Sequence, residues 1–256
     1  MNDKYEAKIA ALLRKAETTT PEEAEALTQR AAEMMIKYGI EQAAIDARRI
    51  GQDAREEIVQ RNIFFDGVYA GGMVVMGHLV AQALGLETLR SANVHQKDQS
   101  TGKTRKGEML WLIGFKSDVE QAMTLIASLQ LQCVVALDAW WKGEMSDPYN
   151  KTASAMNKFK MRRAFIMSFG SGAGHRIKQM RVRVEEEADN TTPGTALVLV
   201  DRRKQVRNYV DEHFGNRRQS RGLSSDARGS GAGYAAGRNA NVGGSALNGG
   251  RKAVGR

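Results

Sequence analysis

Four histidines, one cysteine and a glycine-rich hexapeptide are the residues of this chain whose types could support catalysis, metal binding or phosphate binding. His78, His95, His175 and His213 are scattered, and none has a second His, Cys or carboxylate at metal-ligand spacing. A zinc-binding helix presents two His four residues apart with Glu after the first, whereas His78 is followed by Leu79, Val80, Ala81 and Gln82. A lone His on an apolar helix reads as structural, so no metal or other cofactor is implied. Gly170-Ser171-Gly172-Ala173-Gly174-His175 invites a phosphate-loop reading, because consecutive backbone N–H groups cradle anions at a helix start. It lacks the Lys-Ser/Thr ending of a nucleotide loop and follows no predicted strand. Close helix packing, or a kink, is the better reading. Cys133 falls among apolar helix positions away from cationic clusters, and should be buried and inert.

Charge says more than these scattered groups. The chain carries +9, yet residues 1–201 hold 26 Lys and Arg against 26 Asp and Glu. The whole surplus lies in residues 202–256, with 12 basic and 3 acidic side chains. Residues 151–184 hold nine cations and no acid, followed at once by Glu185, Glu186, Glu187 and Asp189. Clustered cations attract polyanions through release of condensed counterions. The expected nucleic-acid contacts on this helix are Lys158, Arg162, Arg163, Arg176, Lys178, Arg181 and Arg183, interleaved with apolar residues that can face a core. Arg217, Arg218 and Arg221, at the start of an Arg/Gly-rich stretch, complete the set. Trp140 and Trp141 could stack on bases, although one packing in the core and the other closing a helix end explains them as well.

Periodicity predicts the elements that must position these groups. Ile9, Leu12, Leu13 and Ala16 mark one face of a first helix. Thr20, Pro21 and Glu23 restart the chain as a capping box, and a second helix ends at Gly39, a residue type suited to the left-handed C′ position. Ile58 to Phe65, Leu86 to Ala92, Met109 to Phe115 and Thr195 to Val200 read as strands, with Thr101-Gly102-Lys103 at a turn. Tyr69 to Leu84 reads as a helix ending at Gly85. Ser117 and Glu120 form a second capping box, opening a long helix whose buried stripe includes Val119, Met123, Ile126 and Cys133. The basic helix follows Pro148, and Arg202 to Phe214 is the last helix predicted. The fold class is therefore α+β, a helical hairpin followed by a helix-rich mixed α/β domain with about four strands. The expected division is residues 1–50, 58–214, and a Gly/Arg-rich tail over 215–256 that is disordered when free.

The string Lys8-Ile9-x-x-Leu12-Leu13-x-x-Ala16, then Pro21-Glu22-Glu23-Ala24, then Ala31-x-x-Met34-Met35-x-x-Tyr38-Gly39-Ile40 resembles an uncharacterised helical-hairpin domain of unknown function that recurs in phage and bacterial proteins. Gly114-Phe115, Asp118-Val119, Arg163, Phe165 and Ser168-Phe169-Gly170 resemble, more loosely, the companion domain that often follows it. The resemblance implies a phage or prophage origin and transfers no catalytic residue.

The sequence thus leads to a non-enzymatic accessory protein that binds single-stranded DNA or RNA through the basic helix and tail. Its hairpin region, net −3 over residues 1–57, is expected to contact protein. A protein-interaction module acting on a host factor is the alternative. So is an enzyme whose site is assembled in three dimensions from Asp66, His78, Glu108, Asp118 or His175. The longest apolar runs, such as Met73 to Met76 and Cys133 to Leu137, fall short of a membrane span; Asp3, Lys4, Glu6 and Lys8 interrupt the pattern of a basic segment followed by an apolar one; and a lone cysteine suits a reducing compartment. A cytoplasmic location, that of the host if phage-encoded, is expected.

Overall fold

A computed structural model of the protein describes residues 2–16, 27, 30–31, 33–39, 57–97, 102–191, 195–215, 223 and 226–240. The elements are α1 (Asn2–Ala16), β1 (Ile58–Asp66), α2 (Ala70–Leu84), β2 (Glu87–Lys97), β3 (Thr104–Phe115), α3 (Lys116–Glu144), the single turn α4 (Pro148–Lys151), α5 (Ala155–Thr191), α6 (Thr195–His213) and α7 (Ala227–Asn239). Residues 33–39 are also helical. The three strands form an antiparallel sheet in the order β1-β3-β2.

Three strands, not four, are present among the described residues. Thr195 to Val200, read as the clearest strand, instead opens α6. A short apolar run does not by itself distinguish a strand from a helix, and here Leu199 is buried while Val200 is exposed. The other three predicted strands are present, but β2 runs on to Lys97 where Ala92 was expected to end it, and β3 begins at Thr104 and not at Met109, because the polar residues beside the turn continue the ladder. Gly85 ends α2 in the left-handed conformation at φ 87°, its N–H donating to Gln82 O. Gly102 is left-handed in the β2–β3 turn.

Helix starts differ from the predicted caps. Phe115 takes the N-cap position of α3, and Ser117 is buried inside the first turn, so the Ser117–Glu120 capping box does not form. Gly39 is helical and not left-handed; a side chain there would instead meet the Asp118 carboxylate 3.0 Å away. The Thr20–Glu23 capping box lies outside the described residues.

The core sits between the inner face of the sheet and α5. Phe65, Leu110 and Leu112 from the strands meet Val74, Met76 and Val80 from α2 and Leu125, Ile126 and Leu129 from α3. Ile9, Leu13, Met35 and Ile36, near the start of the chain, are buried in this same cluster. Helix α3 is the one described helix long and apolar enough to cross a membrane, with mean hydropathy 1.5 over an 18-residue window. Its inner stripe, ending at Cys133, is fully buried core.

The largest departure from the sequence reading is α7. Residues 227–239 belong to the expected flexible tail, yet they form a helix capped by Asp226, whose side chain accepts from the N–H groups of Arg228 and Gly229. Gly229, Gly233 and Gly237 recur every four residues and so line one face. A Cβ on each would collide with the carbonyl oxygens of Met161, Phe165 and Phe169 on α5. Small residues at this spacing let two helix backbones approach closely. The stretch orders by backbone contact, which a count of large apolar side chains does not register.

Candidate nucleic-acid interface

Helix α5 contains the acid-free basic run, and the structure distributes its cations over more than one face. From Lys158 to Arg183 the helix rises about 37 Å, and neighbours on several sides use the side chains differently. Near its start, Lys158 Nζ donates to the Lys151 carbonyl at 2.8 Å. The Arg162 guanidinium lies 4.0 Å from the Trp141 ring centroid and donates to Tyr69 Oη at 3.4 Å. Arg163 stands 5.0 Å over the Phe159 ring. Trp140 stacks on the buried Phe165. One tryptophan therefore packs on the core and the other meets an arginine, an arrangement that explains the pair without bases.

Farther along, Arg176 donates to the carbonyls of Arg238 and Ala240 at 2.9 and 2.8 Å. These belong to the last turn of α7, where a cation complements exposed carbonyls and the helix dipole. Arg176 thus secures α7 in place. Arg183 pairs with Glu33 at 3.2 Å and Glu187 at 4.0 Å. Arg217, Arg218 and Arg221 lie outside the described residues.

Lys178 and Arg181 contribute to a different feature. A cavity of about 560 Å³ opens between the end of α2, the start of β2, α5 and α6. Lys178, Arg181 and His175 reach it from α5, and Arg203 and Arg207 from α6. Two carboxylates oppose these four full cations. Glu185 is shared by Arg181 at 2.7 Å and Arg203 at 3.0 Å, and Glu87 lies 3.9 Å from the exposed Arg207. The groove keeps an excess of positive charge. Gly85 shapes its floor, since a Cβ there would lie 2.7 Å from the Arg181 guanidinium carbon. The arginine lies flat against the left-handed turn. Arg203 and Arg207 were not singled out in the sequence; their four-residue spacing on the predicted helix Arg202 to Phe214 was the available signal, and only the packing of that helix against the end of α5 brings them to Lys178 and Arg181.

The glycine hexapeptide is a regular part of α5 and forms no loop. A Cβ on Gly170 would meet the Met76 Cα at 2.5 Å, one on Gly174 the Leu79 carbonyl oxygen at 2.9 Å, and one on Gly172 the backbone of Tyr234 and Arg238. Its glycines admit α2 on one side and α7 on the other. The close-packing reading holds.

The acidic and histidine candidates do not converge. Asp66 pairs with Arg105 at 2.8 Å, Glu108 with Arg90 at 2.6 Å, and Asp118 with the buried Arg202 at 3.3 Å. His175 meets the edge of Tyr234. Among the described residues no group of three or more His, Cys, Asp or Glu could hold a metal ion. His78 shares a 2.5 Å hydrogen bond with the Thr88 hydroxyl. Burial lowers its pKa below the usual 6.5, and the nearby Glu87 opposes this less strongly. The native state therefore favours neutral His78, and this contribution is complete above pH 6.5. It is lost as pH falls below 6.5, where the unfolded chain takes up the proton first. Urea unfolding at pH 7.5 and 5.5 should show a loss of stability on acidification that is smaller in His78→Gln; equal losses would assign it elsewhere.

Cys133 is fully buried, and burial pushes its thiol up to about 12. A thiol so rarely ionised is a poor nucleophile. A thiol reagent should react with the native protein only at the rate of unfolding, whereas rapid labelling of folded protein would contradict this placement.

The fold and groove define a mixed α/β protein built on one long central helix, with a cationic cleft at the edge of a small antiparallel sheet. Residues 4–42 match the family model described as a protein of unknown function, DUF2786, the stretch that bears the helical-hairpin resemblance. No curated protein and no solved structure matches the chain.

Proposed function

We propose that this protein binds single-stranded nucleic acid as a non-enzymatic accessory protein of a phage or prophage. The observation that supports this most directly is the groove, where Lys178, Arg181, Arg203 and Arg207 surround a cavity of about 560 Å³. A channel with surplus cations from two helices can follow a phosphodiester backbone while its flexible lysine and exposed arginines adjust to successive phosphates. This moves the contact surface from the whole basic helix to its Lys178–Arg181 portion together with α6. The surplus of charge after residue 201 adds longer-range attraction for a polyanion. The near-neutral first 57 residues, with their net −3, fit a separate role in contacting protein.

The test is fluorescence anisotropy of the full-length chain with labelled oligothymidylate, oligouridylate and duplex DNA over a salt series. Binding that weakens linearly in log salt, and is tighter for single strands, is expected. Absence of binding to all three at about 50 mM salt would end the nucleic-acid reading and leave the protein-partner alternative.

A further inference from the structure

The sheet has a second face that neither core cluster uses fully. Pairing of Asn62 with Trp111, Phe64 with Met109, and Leu89 with Trp111 places these side chains together on the face opposite Leu110 and Leu112. Helix α6 covers one end of this face, where Val206 and Val210 bury Ile113. Beyond that end, Phe64, Met109 and Trp111 are only half-buried and belong to neither buried cluster, while Gln60 and Asn62 are exposed.

The two aromatic rings are held in position. The Phe64 ring lies over Gly107, where a Cβ would come within 2.7 Å of the ring. Trp111 is tied by its indole Nε1–H, which donates to Ser91 Oγ at 3.1 Å on the neighbouring strand. A bulge at Ala92 and Asn93, with Asn93 left-handed at φ 57°, restores the register so that Val94 and Gln96 again share this face. Fixed rings that cost little ordering entropy suit stacking against flat ligands.

Charge flanks the rings at both ends. Arg105, two residues before Gly107 on β3, lies on the same face in a solvent-exposed ion pair with Asp66, a type of contact worth little on its own. Lys97, Lys103 and Lys106 are exposed around the same β2–β3 turn. At the other end, Glu87 is two residues from Leu89 on β2 and so shares this face; it lines the cationic groove and meets Arg207. Leu89, the next residue of β2 on this face, packs against the α6 cluster of Ile113, Val206 and Val210, so the groove and the rings lie on either side of the part of β2 that α6 covers.

We infer that the open face of the sheet is a stacking platform for unpaired nucleobases, with Phe64 and Trp111 as its contact rings and Arg105 and the groove cations holding the backbone on either side. This rests on the nucleic-acid reading of the groove and extends it, because it supplies what charge alone does not: a preference for single strands. Bases in a duplex are already stacked and cannot lie on a protein ring, while unpaired bases can, with little dependence on their identity.

The full-length protein should be compared with Trp111→Ala, Phe64→Ala and Trp111→Phe in salt-series binding to oligothymidylate and to duplex DNA. Stacking on one ring is commonly worth about 1–3 kcal/mol, so Trp111→Ala should weaken single-strand binding by roughly five- to a hundredfold. Its salt slope should not change, since no phosphate contact is removed, and Trp111→Phe should restore most of the loss. Duplex binding should be unaffected. If Trp111→Ala binds single strands as the parent does while groove substitutions abolish binding, the platform is overturned and the groove reading stands. If no form binds any nucleic acid, both fail. Photocrosslinking of the unsubstituted protein to 5-iodouracil oligonucleotides covers the case in which Trp111→Ala does not fold. Crosslinks at Phe64 or Trp111 support the platform, and crosslinks confined to α5 and α6 overturn it. Sedimentation showing a dimer that Trp111→Phe or Trp111→Ala dissociates, with nucleic-acid binding intact, would assign the face to a second copy of the chain instead.

Discussion

Gly233→Val is expected to lower the melting temperature by roughly 6–12 °C and to detach α7 from α5. Gly233 faces the backbone of Phe165, where a Cβ would overlap the carbonyl oxygen and lie 2.7 Å from both its carbon and the Cα. The neighbour that must yield is backbone in the middle of the longest helix, not the far end of a flexible side chain. Forcing extra carbon atoms into a closed contact costs typically 1–3 kcal/mol and occasionally more. We take about 3 kcal/mol here, and a chain of this size loses roughly 2–4 °C for each kcal/mol. Gly231 provides the control within the same helix, since a Cβ there meets nothing within 4 Å. Gly231→Ala should leave stability unchanged or raise it by up to about 1 kcal/mol through helix propensity. Thermal unfolding followed by circular dichroism reads both variants, and hydrogen exchange over residues 227–239 reads detachment. Equal melting temperatures for the two would show that α7 does not depend on backbone contact. Arg176, which donates to the last carbonyls of α7, contributes to the same docking, so removal of residues 215–256 is expected to uncover Phe165 and Phe169 and not to delete an inert tail.

The second large effect is on binding. Combined Lys178→Glu, Arg203→Glu and Arg207→Glu should flatten the dependence of log K on log salt by about 2 units on single strands, at about 0.7 per phosphate contact. Affinity at low salt should fall by two orders of magnitude or more, because the new carboxylates join Glu87 and Glu185 in the groove and repel phosphate. Arg181 is left unchanged, since it lies against Gly85 and pairs with Glu185 as part of the packed structure. The same reversal at Lys158 and Arg162 makes an informative comparison. Those side chains sit at the other end of α5 and engage Lys151 O and the Trp141 ring, and their reversal should change the slope less. A triple groove variant with an unaltered slope and native circular dichroism would remove the groove as the contact surface.

Much of the fold was legible in the sequence because it depends on local rules. Short runs of β-branched, aromatic and other apolar residues marked β1 and β3, Gly85 ended α2 where a left-handed residue was needed, and the apolar spacing through Val119, Ile126 and Cys133 marked the buried side of α3. The excess of cations that points to a polyanion was also a property of composition. What sequence could not assign was the neighbour of each residue. Thr195 to Val200 carries strand-forming residues, but becomes helical where Leu199 reaches the core beside α5 and Val206 and Val210 cover the sheet. The glycines of α7 look like disorder in one dimension, since they bury no side chain; only the backbone of α5 turns their absence of side chains into contact. The cations of α5 form one basic run in sequence, but a helix of 37 residues rotates them about its axis, and tertiary neighbours then decide their use. Arg176 holds a helix end, Arg183 pairs with Glu33, and Lys178 and Arg181 meet Arg203 and Arg207 across a groove whose two walls lie more than twenty residues apart in the chain. Residue type determined what each group could do, and packing determined which of them do it together.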